Sequence, residues 1–226
     1  VGSQVFDSDV FLHASEIMLD FIALMQKKYG FVTEELDLGG GYGVRYLESH
    51  PEIDIAANIH QVAAFMKAHC EKLGISLPAI RMEPGRSIVA DAGLTLYTAG
   101  TVQRIPGYKN YVSIDGGMTD NPRYALYGSP YTIVLANRMN AEAPKFTCTV
   151  AGRCCESGDL IQENVQLPED VTRGDIVAVM TTGAYNYSMA SNYNRIPRPP
   201  VVMLSQGTDK LAVRRESFED ICRNDV

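Results

Sequence analysis

Five short stretches of this sequence carry residue types that can do chemistry. Gly39-Gly40-Gly41-Tyr42-Gly43 has almost no side chains, so its backbone can approach an anion and offer successive N–H groups to a phosphate. A plain tight turn has the same composition: no Walker lysine follows, and the GxGxxG spacing is only loosely matched. Glu83-Pro84-Gly85-Arg86 joins a carboxylate and a guanidinium across a turn, which suits either a bound ligand or a solvated surface ion pair. Arg123 and Tyr127 lie four residues apart, and one helical turn would place them on a shared face. The arginine offers a bidentate fork to a carboxylate and the tyrosine adds a hydroxyl, although an exposed arginine beside a packing tyrosine fits the spacing too. In Cys154-Cys155-Glu156-Ser157-Gly158-Asp159 a thiol sits beside carboxylates whose charge keeps it protonated. That makes it a candidate proton donor, the alternative being a buried, inert cysteine. Tyr185, in Gly183-Ala184-Tyr185, either bonds a phosphate or packs.

Elements must hold these residues. Up to residue 88 the pattern is helix alternating with strand. Apolar residues at Ile17, Phe21, Leu24 and Met25 mark a helix over 9–28, with Gly30 placed as its C-terminal cap. A strand at 35–38 then runs into the glycine stretch. A second helix carries Ile55, Ile59, Val62 and Met66 and ends at Gly74; a strand at 79–82 closes on Glu83. This is the rhythm of parallel-sheet units, whose functional loops collect at the C-terminal ends of the strands. The two loops would therefore open on one face. After residue 88 short β-rich runs alternate with turn residues, at 94–102, 110–114, 131–135, 145–150, 175–180, 200–204 and 211–214. That spacing predicts an antiparallel barrel or sandwich, with a last short helix at 217–223. The first 88 residues hold only 3 of the 11 prolines and 3 of the 12 tyrosines, which supports a boundary there: domains at 1–88 and 89–226.

Composition narrows the classes. The chain has 226 residues, 46% hydrophobic and 21% charged, enough for a sizeable core and against disorder. A net charge of −7 argues against a nucleic-acid partner. No apolar run approaches the ~18 residues of a membrane helix, and no signal-peptide pattern opens the chain. Five cysteines without CxxC spacing fit a reducing cytoplasm. His13, His50, His60 and His69 show no metal-ligand spacing.

The order of the motifs is more specific than any one of them. Gly-Ser-Gln, Leu-Gly-Gly-Gly-Tyr-Gly, Glu-Pro-Gly-Arg, Arg-Tyr-x-x-Tyr, Cys-Glu-Ser-Gly-Asp and Gly-Ala-Tyr together resemble the diaminopimelate decarboxylases, within the alanine-racemase-like group of pyridoxal-phosphate (PLP) decarboxylases. The resemblance runs from residue 2 to residue 226. It implies an α/β plus all-β fold, a partial PLP-binding (β/α) barrel represented by its last two βα units and then the β-rich domain. It implies that Gly40, Gly41, Pro84, Gly85 and Arg86 hold the cofactor phosphate region and that Glu83 pairs with the pyridinium nitrogen, keeping the ring an electron sink. Arg86 would meet phosphate or the substrate carboxylate. Arg123, Tyr127 and Glu156 would hold the far end of the substrate, Tyr185 would touch substrate and phosphate, and Cys155 would return a proton after CO₂ loss. In the family this Cys-Glu pair crosses a dimer interface, so a homodimer is implied.

The implied reaction is decarboxylation of meso-2,6-diaminopimelate to L-lysine and CO₂. Charge supports that substrate separately: Arg123 with Tyr127 suits an anion and Glu156 a cation, the two signs of a diamino diacid's far end. Ornithine and arginine are purely cationic there, and a desolvated mismatch costs several kcal/mol. The sequence also departs from the family pattern. None of its seven lysines sits in the context of the Schiff-base lysine, and the chain starts just after the position of the histidine that stacks on the cofactor ring. This implies the C-terminal part of a decarboxylase, inactive by itself. An ornithine- or arginine-type diamino-acid decarboxylase is a second reading, against which Arg123 argues, and a non-catalytic homologue acting as a binding partner is a third. A nucleotide-binding oxidoreductase on the Gly39–Gly43 loop is a fourth; the carboxylate it needs, Glu83, lies about 40 residues on instead of ~20.

Overall fold

The computed structural model describes residues 1–138 and 144–226. They form two compact units, Val1–Asp91 and Ala92–Val226, divided just past the boundary expected after residue 88.

The first unit contains α1 (Asp9–Tyr29), β1 (Glu35–Asp37), α2 (Ile55–Leu73), β2 (Ala79–Arg81) and the single turn α3 (Arg86–Val89). β1 and β2 pair in parallel, Glu35 opposite Ala79 and Asp37 opposite Arg81. The ladder continues past both strands: Leu38 N donates to the Arg81 carbonyl at 3.0 Å, and Glu83 N to that of Gly39 at 2.7 Å. A further parallel contact lies beyond the glycines, where Val5 N donates to Gly41 O at 2.9 Å and Gly43 N to Val5 O at 2.8 Å. This N-terminal line goes beyond the two-strand expectation. Its bridge is too short to carry a readable alternation.

α1 buries a different face from the one its periodicity suggested. Ile17, Phe21 and Leu24 are about half exposed, while Phe11, Ser15, Leu19 and Ile22 are buried. The helix has two apolar stripes, and the buried one is disguised by a serine. Ser15 Oγ donates to the Phe11 carbonyl at 2.8 Å, so its hydroxyl is satisfied inside the helix and packs with little polar penalty. Phe11 stacks on Tyr42 at 4.2 Å, and with Leu19, Leu36, Val62 and Met66 they form the core. In α2 the expected Val62 and Met66 are buried, whereas Ile59 is exposed. Gly30 and Gly74 end the two helices in the left-handed conformation, as their positions predict.

The second unit is built on a six-stranded sheet, made of β3 (Leu94–Arg104), β4 (Asn110–Ile114), β5 (Ile133–Leu135), β6 (Lys145–Ala151), β7 (Leu160–Pro168) and β8 (Ile176–Met180). Its order is β5-β8-β3-β4-β6-β7. The sheet curls until its edges approach, with Tyr131 N, just before β5, donating to Gln162 Oε1 of β7 at 2.5 Å. The result is a nearly closed, barrel-like sheet around Val112, Val150, Ile161, Leu167, Val177 and Val179. The expectation of a wholly antiparallel sheet fails at one pair. β4 and β6 are parallel, because the chain between them crosses over through the helical turn α4 (Arg123–Tyr127) and β5. β7 was not anticipated. Its Gln162-Glu163-Asn164 centre reads as loop because it is three polar residues in a row; in the structure Asn164 takes a left-handed φ of 57°, and the opposing register shifts between Cys148 and Val150. The chain ends in a hairpin, β9 (Val201–Ser205) and β10 (Thr208–Val213), and α5 (Phe218–Cys222) with a Ser217–Asp220 capping box. Gln206 and Gly207, both left-handed, turn the hairpin. Among the described residues no helix is long and apolar enough to cross a membrane.

Candidate functional site

In the first unit the glycine stretch and the Glu83–Arg86 turn are brought side by side by the parallel ladder. The glycines are demanded by close backbone approach. A Cβ on Gly40 would lie 2.2 Å from the Glu83 carbonyl oxygen; one on Gly41, whose φ is 113°, would lie 2.4 Å from that of Gly2. The turn that follows leaves the Glu83 side chain exposed. Arg86 is half-buried and aimed by two hydroxyls: it donates to Tyr46 Oη at 2.7 Å and to Ser3 Oγ at 3.1 Å. Its guanidinium also lies 5.8 Å from the centre of the Tyr46 ring. Pro84 and Gly85 form the corner between Glu83 and Arg86. Tyr46 and Ser3 were not singled out from the sequence. Ser3 belongs to the Gly-Ser-Gln stretch, but only the third parallel line places it beside Arg86.

In the second unit one carboxylate organises two loops. Asp159, 3% exposed, accepts from Met118 N and from Cys154 N, both at 2.6 Å. Gly117 and Gly152 press against it: added Cβ atoms would lie 2.5 and 2.2 Å from its carboxylate oxygens. Arg153 N donates to Gly116 O at 3.0 Å and ties the loops again. The turn that starts at Cys154 closes with Glu156 N donating to Cys154 O and Asp159 N to Glu156 O. On it Cys155 is exposed, and its N–H donates to Asn194 Oδ1 at 2.8 Å. Cys154 is half-buried; burial and then the Asp159 charge push its thiol up to about 11. The two neighbours thus differ in access. The Glu156 carboxylate remains exposed, folded back to accept from Gly158 N at 3.1 Å and Ser157 Oγ at 3.3 Å.

Arg123 and Tyr127 do occupy one helical turn, yet they part company in environment. Arg123 is 3% exposed, whereas Tyr127 is 66% exposed. The arginine donates to Tyr131 Oη at 3.3 Å and Ser129 Oγ at 3.2 Å, and stands 5.9 Å from the centre of the Tyr131 ring. Three residues before Arg123, Asp120 Oδ2 accepts from the distant Tyr97 Oη at 2.5 Å; burial pushes both groups up, and the tyrosine's hydrogen bond restrains the rise at the carboxyl. Tyr185 sits just past β8 with a left-handed φ of 62° and is partly exposed; the next residue, Asn186, is buried and reaches Tyr131 Oη at 3.5 Å. Sequence reading missed Tyr97, Asp120, Tyr131, Asn186 and Asn194. Tyr and Asn are frequent in this part of the chain, and no short-range spacing marks these ones.

Comparison with known proteins decides the family. A model described as "Pyridoxal-dependent decarboxylase, C-terminal sheet domain" matches residues 44–183. The chain belongs to this family. A diaminopimelate decarboxylase of Bacillus subtilis is 45% identical over 226 residues, covering all of this chain and 51% of that protein. A solved structure of the M. jannaschii diaminopimelate decarboxylase in co-complex with L-lysine superposes with a TM-score of 0.90 at 31% identity, covering 100% of this chain and 50% of the other. The Helicobacter pylori enzyme complexed with L-lysine gives 0.84 at 30%, covering 99% and 52%. The chain therefore spans about half the length of the curated relatives it matches. The β-rich unit is the family's C-terminal sheet domain.

Proposed function

We propose that the protein to which this chain contributes is a PLP-dependent carboxy-lyase that converts meso-2,6-diaminopimelate to L-lysine and CO₂. The observation that carries the substrate choice is a pair of opposite charges in the second unit: the buried Arg123 guanidinium set by Tyr131 and Ser129, and the exposed Glu156 carboxylate on its tight turn. Diaminopimelate has a carboxylate and an ammonium at its far end, and each finds its complement. Tyr127 and Tyr185, both exposed, supply further hydroxyls.

The first unit is read as part of the cofactor-binding βα barrel, on its parallel strands with helices between them. The donor set there fits PLP. The glycine loop and the Gly85–Arg86 backbone suit a phosphate, Arg86 adds a fixed cation, and the exposed Glu83 carboxylate suits a protonated pyridine nitrogen. When bound, the cofactor supplies the electron sink for loss of CO₂. Arg86, Arg123 and Glu156 bind and orient charged groups, Glu83 keeps a proton on the ring nitrogen, and Cys155 delivers a proton at the substrate α-carbon. The family resemblance further supports a cytoplasmic homodimer in which the Cys155-Glu156 loop serves the partner's active site.

Specificity constants of the complete protein test the substrate choice. Replacing Arg123 by Met removes a charge-assisted pair with the distal carboxylate, so kcat/KM for meso-diaminopimelate falls by about 100-fold. The value for ornithine, which has no distal carboxylate, stays within a few-fold. An equal loss on both substrates, or a parent enzyme preferring ornithine, contradicts the assignment.

A further inference from the structure

Cys155 sits on an exposed loop, and one side chain from a distant stretch reaches it: Asn194, whose Oδ1 accepts from Cys155 N at 2.8 Å. Asn194 does so from an uncommon conformation. Its φ is 53°, and Arg195 follows at 57°, so two successive non-glycine residues are left-handed. Such a pair persists only where its surroundings fix it. Here the fixing comes from the end of the chain. Arg195 Nη1 donates to Asp225 Oδ2 at 2.8 Å and lies 3.8 Å from Cys222 Sγ. Glu216 grips both flanks: its Oε2 accepts from Asn192 Nδ2 at 2.7 Å and Arg198 N at 2.9 Å, and its Oε1 from Arg198 Nη2 at 2.6 Å. Asn192 O accepts from Arg195 N at 2.8 Å and closes the turn.

We propose that Asn194 is a positioning residue for the Cys155 thiol, and that the C-terminal segment from Glu216 to Asp225 holds Asn194 in the conformation that makes it one. The inference rests on the reading of Cys155 as proton donor. Asn194 touches neither substrate nor reacting atoms in this role; it fixes the backbone from which the thiol projects. The C-terminal segment thereby acts on the chemistry without entering the site.

The test uses the complete holoenzyme and three substitutions. Asn194→Gly removes the acceptor while keeping a residue at ease with positive φ, so the fold is spared. Asn194→Asp keeps an acceptor in the same place. Asp225→Ala releases Arg195. For Asn194→Gly the expected result is a kcat lower by about fivefold, the scale of one lost hydrogen bond, with KM for meso-diaminopimelate within twofold. Iodoacetamide labelling of Cys155, followed by peptide mass spectrometry, becomes faster by a similar factor. Asn194→Asp restores both values, and Asp225→Ala shifts both in the same direction by less. Parent-like kcat and parent-like Cys155 labelling in Asn194→Gly overturn the proposal. A Cys155→Ser enzyme with undiminished kcat would instead sink the proton-donor reading, and the labelling rates would still decide whether Asn194 positions the thiol.

Discussion

Asp159 and Gly152 offer a quantitative check on how the thiol loop is built. Asp159→Ala leaves the N–H groups of the half-buried Met118 and Cys154 without the acceptor that the buried Asp159 provides. At about 1–3 kcal/mol for each orphaned donor, the substitution costs roughly 4 kcal/mol. Gly152→Ala is destabilising for another reason. Gly152 has no positive φ, so alanine suits its backbone, and the obstacle is the Asp159 carboxylate 2.2 Å from the new Cβ. Overpacking of that kind costs about 2–3 kcal/mol. Removing the carboxylate removes the clash. Gly152→Ala should then cost less than about 0.5 kcal/mol in the Asp159→Ala background, a coupling of about −2 kcal/mol. Urea denaturation of the four proteins at pH 7 measures it. Loss of the carboxylate also lowers the raised Cys154 thiol, so alkylation of that residue speeds up. Additive costs, or an Asp159→Ala protein as stable as its parent, would refute the clamp.

Other consequences are simpler to measure. A methyl group on Gly41 meets the Gly2 carbonyl and is strained by its φ, so Gly41→Ala in the complete protein weakens PLP binding at least tenfold in an absorbance titration. Glu216 is held at about 2, below its ordinary 4.5, chiefly by hydrogen bonds from Arg198. A depressed carboxyl contributes stability that is present above pH 4.5 and lost as pH falls toward 2. After discounting for the partly exposed Arg198 this amounts to about 1–2 kcal/mol, and Glu216→Gln should flatten that acid limb in urea melts between pH 3 and pH 7. At pH 8, iodoacetamide labels the exposed Cys155 and Cys222 first. Cys148 and Cys154, with thiols pushed up to about 11 chiefly by burial, and the buried Cys70 label last, as peptide mass spectrometry can report.

The sequence made local features plain and long-range ones opaque. Gly30 and Gly74 announce helix ends because a left-handed cap is a property of one residue and its neighbours. The parallel pairing of β1 and β2 followed from helix–strand alternation. The buried face of α1 did not, because a serine that satisfies itself within the helix looks polar in a periodicity count. β7 was hidden by Glu163, a charged residue at an apolar place in the Ile161–Leu167 alternation, and the parallel β4–β6 pair by a crossover with no local signature. The same division holds at the candidate site. Glu83, Arg86, Arg123, Cys155 and Glu156 were legible as chemistry-bearing residues in contiguous motifs. Their supports, Ser3, Tyr46, Tyr131 and Asn194, reach them across the sheet or from distant turns. Arg123 and Tyr127 show the limit of spacing arguments: the helical turn forms as expected, and burial still separates the two side chains.

Product analysis tests the central claim most directly. The complete protein is incubated with PLP and meso-diaminopimelate, and lysine and CO₂ are quantified together. The expected result is one L-lysine and one CO₂ for each diaminopimelate consumed, with Cys155→Ser strongly slowed in the same assay. No lysine from a folded, PLP-loaded protein, or turnover of ornithine or arginine in place of diaminopimelate, would contradict it.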